Sequence, residues 1–142
     1  MINYLGVLVC GIISMVVGFV WYGPLFGKVW MEVMGVDMKT MTPEKMKEMQ
    51  KGMGSSYLAT FVLALLTNYV LAVFIIGMPT VSGVMTAFWI WLGFVMPVVA
   101  GSAIWSGKPK NLGWKMFLTS AGYQLVTLLI YGAVLGAWPA GK

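Results

Sequence analysis

The sequence of 142 residues contains no arginine, no histidine and one cysteine, and only 9% of its residues are charged. Without arginine there is no planar, bidentate group for phosphate or carboxylate. Without histidine the chain lacks the commonest metal ligand and the usual proton carrier near neutral pH. The single Cys10 excludes a disulfide within the chain. These absences exclude much of the chemistry by which enzymes and nucleic-acid-binding proteins are recognised.

Charge is also missing from long stretches of the chain, because residues 1–27 and 52–107 carry no charged side chain. A soluble domain has roughly 25% charged and about 45–50% apolar residues, whereas this chain is 60% hydrophobic. Too few polar residues remain to cover a water-soluble core. The composition therefore predicts an integral membrane protein, with the lipid bilayer as its main partner.

Four apolar stretches are long enough to cross a hydrocarbon core of about 30 Å, which takes about 20 helical residues. Gly77-Met78-Pro79-Thr80 divides the longer uncharged run into two of them. The sequence predicts one transmembrane domain over residues 1–142, an all-α four-helix bundle. Its spans are residues 3–26, 55–76, 81–105 and 114–138, and its lysine-containing loops are residues 27–54 and 106–113.

The end of the first span is rich in aromatic residues and carries a glycine-proline pair before the first charged residue, Lys28. Trp and Tyr are enriched at the headgroup level of membranes, and proline interrupts a helix. We therefore expect the first helix to end here, at the rim of the bilayer. In the third span, Pro97 predicts a bend. The rim residues are Trp21, Tyr22, Gly23, Pro24 and Trp30.

The first loop contains a second signal, a helix start at Thr42-Pro43-Glu44 with Thr as N-cap and Pro at the first helical position. Met46, Met49 and Met53 then fall on one face, which predicts a short amphipathic cytoplasmic helix on the membrane surface. Thioethers can bind Cu(I), but a flexible apolar face is the expected role of these methionines. We predict no metal and no cofactor.

Small residues recur at helical spacing in the first and fourth spans. Such strips let another helix backbone approach closely, because lipid provides no hydrophobic drive between helices. The spacing predicts helix-packing faces, through which the protein self-associates or packs with partner membrane proteins. The positions are Gly6, Cys10, Ser14 and Gly18 in the first span and the Gly132/Gly136 pair in the fourth.

Polar side chains inside the second and fourth spans need partners, so they are expected to face other helices rather than lipid. The expected role is interhelical hydrogen bonding. The alternative is a small polar cavity between spans two and four that holds a solute or a lipid headgroup. The candidates are Asn68, Tyr123, Gln124, Thr127 and Tyr131.

Lysine counts predict the orientation. The first and third loops hold five and three lysines, counting Lys115, whereas the opposite side has only Lys142. Because lysine-rich loops stay in the cytoplasm, both of these loops are expected there, with both termini outside the cell membrane. The lysines flank apolar spans and form no stripe, so lipid headgroups rather than nucleic acid are the expected partners.

The predicted spans contain no Asp, Glu or His. Ser14, Ser102 and Ser120 therefore lack a general base at depth, and no zinc or iron ligand set is present. A proton-coupled exporter would need a carboxylate within the membrane. We predict that the protein is not an enzyme. This argument does not exclude an uncoupled facilitator, which needs no such carboxylate.

The stretch from Gly18 to Gly27, which reads Gly-Phe-Val-Trp-Tyr-Gly-Pro-Leu-Phe-Gly, is followed by Trp30-Met31. With Lys51-Gly52-Met53-Gly54 and the Gly- and Trp-rich third span, it resembles the domain of unknown function 1761 family of small prokaryotic membrane proteins. The resemblance covers nearly the whole chain. It implies a four-span membrane fold with no agreed activity and no catalytic residues to transfer.

Two functions remain. The first is a non-catalytic structural or interaction module that forms a homo-oligomer or packs with partner membrane proteins. The second is a small uncoupled transporter, or a binder of lipid-like solutes, with a polar cavity between spans two and four.

Overall fold

The computed structural model describes residues 1–138, so Lys142, which the lysine count places on the outer side, lies outside the described residues. All regular secondary structure in the described chain is helical. π-helical turns at Trp21–Leu25 and Trp91–Val95 lie between α-helices. The α-helices are α1 (Tyr4–Val20), α2 (Gly27–Val33), α3 (Pro43–Gln50), α4 (Met53–Gly77), α5 (Gly83–Ile90), α6 (Met96–Ile104) and α7 (Lys110–Ala137).

Four helical stretches are long and apolar enough to cross a membrane, and each overlaps one predicted span. They are Tyr4–Leu25, Met53–Gly77, Gly83–Ile104 and Lys110–Ala137. This confirms the all-α class and the number of candidate spans. The fourth begins at Lys110, earlier than expected, because Pro109 precedes the helix and the polar turn after it is itself helical.

Helix α7 is the centre of the packing, because it contacts α1, α2, α4, α5 and α6, and most extensively α5. Helix α4 packs mainly on α1. The core where these helices meet is formed by Val7, Cys10, Leu71, Ala72, Ala87, Leu128, Tyr131 and Leu135. Large apolar side chains such as Phe19 (78% exposed) and Phe94 (70% exposed) point outward. An apolar exterior around a small, partly polar interior suits hydrocarbon as the surrounding solvent.

The closest approach between helices is that of α5 to α7. A Cβ atom on Gly83 would overlap the carbonyl oxygen of Gly132, and one on Gly132 would overlap the carbonyl oxygen of Gly83. A Cβ on Gly136 would lie 3.1 Å from the Gly83 Cα. The two backbones are in contact here because the facing residues are glycines, which have no side chain to separate them.

The first helical stretch ends at Leu25, one residue after the Gly23-Pro24 pair, as the sequence predicts. Its last turn is not α-helical but widens into the π turn Trp21–Leu25, in which the Phe26 N–H donates to the Trp21 carbonyl at 2.8 Å. The sequence did not predict this π geometry, which has a physical reason. Pro24 lacks an N–H and clashes with the preceding turn, and a π turn relieves both constraints by lengthening the hydrogen-bonded ring.

Helix α3 begins where the sequence predicts. The Thr42 hydroxyl accepts from the Lys45 N–H at 3.2 Å, and Pro43 is the first helical residue. Met46 and Met49 are about half exposed, at 48% and 46%. Gly52 follows with a φ of 79°, a left-handed conformation that favours glycine. This residue changes the direction of the chain between α3 and α4.

Candidate functional site

One end of the helical assembly carries a chain of aromatic rings built from α1, its π turn, α2 and α7. The Trp21 ring lies 4.6 Å from that of Phe26 and 6.5 Å from that of Tyr123, measured between centroids. Tyr22 lies 5.3 Å from Tyr123 and 4.9 Å from Trp30. Three of the predicted rim residues, Trp21, Tyr22 and Trp30, therefore belong to one cluster. Pro24 and Gly23 form the exposed outer side of the turn that carries it.

Two indole groups hold the same part of α7. Trp21 Nε1 donates to the Thr119 carbonyl at 3.0 Å, and Trp91 Nε1 donates to the Ala121 carbonyl at 3.0 Å. Gly122 makes room for the first indole, since a Cβ there would lie 3.1 Å from Trp21 Cζ2. Each indole begins a π turn, so both irregular segments are fixed against α7. No sequence signal marked Trp91 for this role.

The small-residue strip of the first span is filled by α7 of the same chain. A Cβ on Gly6 would lie 3.2 Å from Leu135 Cδ2, and one on Gly18 would lie 3.2 Å from the Tyr123 hydroxyl. Between them, Cys10 is 0% and Ser14 is 3% exposed. Since Gly132 is likewise occupied by α5, these motifs pack helices within one chain. A second copy would have to bind elsewhere.

Buried polar side chains lie between α1, α4 and α7, but most of them bond to their own helix. Ser14 Oγ donates to the Gly11 carbonyl at 2.6 Å. Asn68 Nδ2 donates to the Ala64 carbonyl at 2.8 Å, and Thr127 Oγ1 donates to the Tyr123 carbonyl at 2.9 Å. The expected interhelical bond of Asn68 is therefore replaced by an intrahelical one, because the amide reaches the carbonyl one turn back.

Tyr123 does link two helices, since its hydroxyl donates to the Ser14 carbonyl at 3.1 Å. Tyr131 is 4% exposed, and its hydroxyl lies close to the side chains of Ser14, Asn68 and Thr127. Gln124 is half buried, and in the described part of the chain only its backbone carbonyl is hydrogen-bonded to a side chain, that of Thr127.

Two buried polar atoms have no hydrogen-bond partner among the described residues. They are Oδ1 of Asn68, in a residue 0% exposed, and Oγ1 of Thr86, in a residue 1% exposed. An unpaired polar atom costs free energy in a dry interior. This interior is polar but carries no charged side chain in the part of the chain described.

A lateral groove of about 310 Å³ lies between α4 and the third span. Its walls are apolar and include Leu66, Val70, Phe74, Ile90, Phe94 and Leu128. A second groove, of about 430 Å³, lies where α1, α4, α5 and α7 end and has Asn3, Thr80 and Ser82 in its lining. Neither groove is lined by Asn68, Tyr123 or Gln124.

The two lysine-containing loops are joined to each other. Lys108 Nζ donates to the carbonyl of Val33, the last residue of α2, at 2.8 Å, and Val33 is 1% exposed. A cation at a helix C-terminus is favourable. Lys115 Nζ lies 2.8 Å from Glu32 Oε2 in a half-exposed ion pair. These contacts join positions more than seventy residues apart, which composition alone does not predict.

Across residues 1–138 there is no group of three or more His, Cys, Asp or Glu side chains placed to hold an ion. Met34 (59% exposed), Met38 (57% exposed), Met46 and Met49 are exposed in the first loop and at its helix.

Four helices apolar enough to cross a membrane, around an interior whose described side chains carry no charge, define a membrane protein. The family model described as "Protein of unknown function (DUF1761)" matches residues 5–136, and the chain belongs to this family. The match covers nearly the whole chain and confirms the resemblance found in the sequence. No curated protein and no solved structure matches the chain.

Proposed function

We propose that this protein is a non-catalytic membrane module that assembles with further copies of itself or with partner membrane proteins. The proposal rests on one observation, that the four spans bury unequal parts of their surfaces inside the chain. Spans one and four bury their small-residue motifs inside the chain. The third span buries only Gly83, Thr86, Ala87 and Ala103 and turns the rest of its surface outward.

The state of the buried hydroxyl groups supports a non-catalytic role. The Ser14 hydroxyl, the most buried serine candidate, donates to the carbonyl of Gly11. A serine nucleophile needs a neighbouring base that takes its proton, and Asn68, Thr127 and Tyr131 are not bases near neutral pH. The surroundings of Ser14 thus favour packing over acyl or phosphoryl transfer.

The lysine distribution supports a specific placement in the cell membrane. We place the loops of residues 27–54 and 106–113 in the cytoplasm, with the N-terminus outside. Helix α3 then lies at the cytoplasmic surface, where Met46 and Met49 contact lipid and Lys45 and Lys47 reach the headgroups. The bilayer is the partner of this surface, and no nucleic acid, metal or cofactor is part of the proposal.

Self-association is tested in lipid rather than in detergent. The labelled full chain is reconstituted into vesicles over a series of lipid dilutions, and photobleaching steps count the copies in each spot. We expect more than one copy per spot over a range of dilutions, with a reversible shift to single copies at the highest dilution. Single copies at every dilution would remove self-association from the proposal.

A second candidate function, the binding of a lipid-like solute, is favoured by the lateral groove between α4 and the third span. Because Leu66, Val70, Phe94 and Leu128 line it with apolar atoms, it suits an acyl chain better than a polar solute. Its volume of about 310 Å³ is at the lower end of ligand pockets, which start at roughly 300 Å³. This groove replaces the polar space between spans two and four as the proposed binding site.

A polyene fatty acid, which fluoresces when its chain is held in a protein, tests this candidate. We expect Val70→Trp to fill the groove and abolish saturable binding of the probe. Leu58→Trp is the matched control, since Leu58 lies on the same helix, is 65% exposed and is not among the lining residues. Equal probe binding by both variants would exclude the groove as an acyl-chain site.

A further inference from the structure

The second π turn, Trp91–Val95, leaves backbone carbonyls without donors in the middle of the third span. The Met96 N–H, the usual donor to the Leu92 carbonyl, instead donates to Trp91. Pro97, the usual donor position for the Gly93 carbonyl, has no N–H. The carbonyls of Leu92 and Gly93 therefore lack their usual donors.

These carbonyls lie on the outward side of the span. Gly93 and Pro97 are exposed, Phe94 is 70% exposed and Val98 is 67% exposed. Lipid tails offer no hydrogen-bond donor, and irregular backbone at membrane depth is found where protein or trapped water covers it. The first π turn differs, because it lies next to the charged loop, within reach of headgroups and water. The second needs a donor from outside the described chain.

The same side of the span carries a donor without a partner. Trp89 is 58% exposed and lies four residues before Gly93, on the same helical face. Its indole N–H takes part in none of the hydrogen bonds between described residues, whereas the indoles of Trp21 and Trp91 both donate to backbone carbonyls of a neighbouring helix. Among the described residues, two indoles thus join one span to another through a backbone carbonyl.

The glycines of this face are also open. A Cβ on Gly93 or Gly101 would meet no atom within 4 Å, unlike one on Gly18, Gly83 or Gly132. Gly93, Pro97 and Gly101 follow one another at four-residue spacing beside Phe94 and Val98. The face thus combines open space at the glycines with the projecting side chains of Phe94 and Val98. It also carries hydrogen-bond acceptors, the freed carbonyls, and a donor, the Trp89 indole.

We propose that this face, from Trp89 to Gly101, is the interface with a second copy of the chain, in which the Trp89 indole of each copy donates to the freed carbonyls near Gly93 of the other. The inference rests on the self-association part of the proposed function. A two-fold axis along the membrane normal places identical residues at equal depth, so a face that contains both halves of each contact is complementary to itself. Glycine Cα–H groups add weak hydrogen bonds where the backbones approach.

The first test compares dimer dissociation in vesicles for Trp89→Phe and for the control Trp114→Phe, since Trp114 is 64% exposed on α7. Phenylalanine keeps an aromatic ring at the membrane but removes the N–H. We expect the dissociation constant to rise on the order of tenfold for Trp89→Phe, from two lost interhelical bonds, and to stay unchanged for Trp114→Phe. An equal response of both variants would overturn the inference.

A second variant separates the interface from general packing. Pro97→Ala restores an N–H, which supplies the Gly93 carbonyl from within its own helix. We expect the span to be more stable and the dimer weaker, two changes of opposite direction that a structural role alone does not produce. Dimerisation as strong as in the unchanged protein would contradict the role given to the freed carbonyls.

Cross-linking tests the geometry without any change in hydrogen bonding. Oxidation of a Val98→Cys variant in membranes is expected to give a covalent dimer, whereas Leu58→Cys gives none; Cys10 is fully buried and does not interfere. If the unchanged protein self-associates but Val98→Cys does not cross-link, the inference is wrong and the proposed function stands. Rapid labelling of Val98→Cys by a water-soluble maleimide would show a hydrated cavity instead and would overturn it. Single copies at every lipid dilution would contradict both this inference and the self-association part of the proposed function.

Discussion

The indole Nε1 of Trp21 lies 3.0 Å from the carbonyl oxygen of Thr119 and donates a hydrogen bond to it. Trp21 begins the π turn at the end of the first span, and Thr119 belongs to the central helix α7. The bond joins residues 98 positions apart and fixes the irregular end of α1. Rim aromatics therefore do more in this protein than contact headgroups.

Replacement of Trp21 by Phe removes this donor and part of the ring that covers Gly122. We expect the free energy of unfolding to fall by about 1–3 kcal/mol, from the lost hydrogen bond and the void left by the smaller ring. Trp105→Phe, at a side chain 89% exposed, is expected to change it by less than about 0.5 kcal/mol. Reversible unfolding in mixed micelles measures both, and equal effects would contradict the anchoring role.

A methyl group at the α5–α7 contact tests the closest approach of two spans. Because a Cβ on Gly83 would overlap the Gly132 carbonyl oxygen, we expect Gly83→Ala to destabilise the protein by about 1–3 kcal/mol. Gly77→Ala is the control, since a Cβ there meets nothing within 4 Å. The same unfolding experiment applies, and an unaffected Gly83→Ala variant would show that these helices separate freely.

Replacement of the buried amide of Asn68 tests whether this side chain stabilises the protein. Its Oδ1 has no partner among the described residues and its Nδ2 bonds only to its own helix. We expect Asn68→Leu to leave stability within about 1 kcal/mol of the original or to raise it, because removal of an unpaired buried acceptor offsets the loss of one bond. Thermal unfolding measures this. A loss of more than about 3 kcal/mol would point to a polar ligand or water held by Asn68.

The contacts between the two charged loops should differ in strength. Lys108 donates to the carbonyl of the buried Val33, so we expect Lys108→Met to cost about 1.5–3 kcal/mol. Glu32→Gln breaks a half-exposed ion pair and is expected to cost at most about 1 kcal/mol. Stability at low and high salt separates them, because salt screens the attraction between two opposite charges more than a hydrogen bond to a neutral carbonyl. A salt-sensitive, small effect at Lys108 would contradict this ranking.

The orientation is tested with single cysteines and a membrane-impermeant maleimide. We expect Thr80→Cys, in the turn between spans two and three, to be labelled on intact cells and Lys47→Cys, in α3, to be labelled only after permeabilisation. Cys10 is fully buried and should give no background. Labelling of Lys47→Cys on intact cells would reverse the topology.

The sequence predicted those features that depend on neighbouring residues. Apolar length was sufficient to find four helices, and Thr42-Pro43 was sufficient to place the start of α3, since the N-cap bond joins residues three apart. It also marked Gly6, Gly18 and Gly132 as packing positions, although not the helices that fill them. Of the polar candidates, Asn68, Thr127 and Tyr131 are buried in the structure.

Composition and periodicity alone thus determined that this chain belongs in hydrocarbon, because solvent preference is a sum over local residues. Tertiary structure decided that α7 packs against the small residues of α1 and that the Asn68 amide donates to the Ala64 carbonyl. It also decided that the indoles of Trp21 and Trp91 donate to the same part of α7. Those outcomes depend on which helices meet and at what depth. Contacts between residues 30 to 109 positions apart leave no periodic trace in the residues around them, so only the folded chain reveals them.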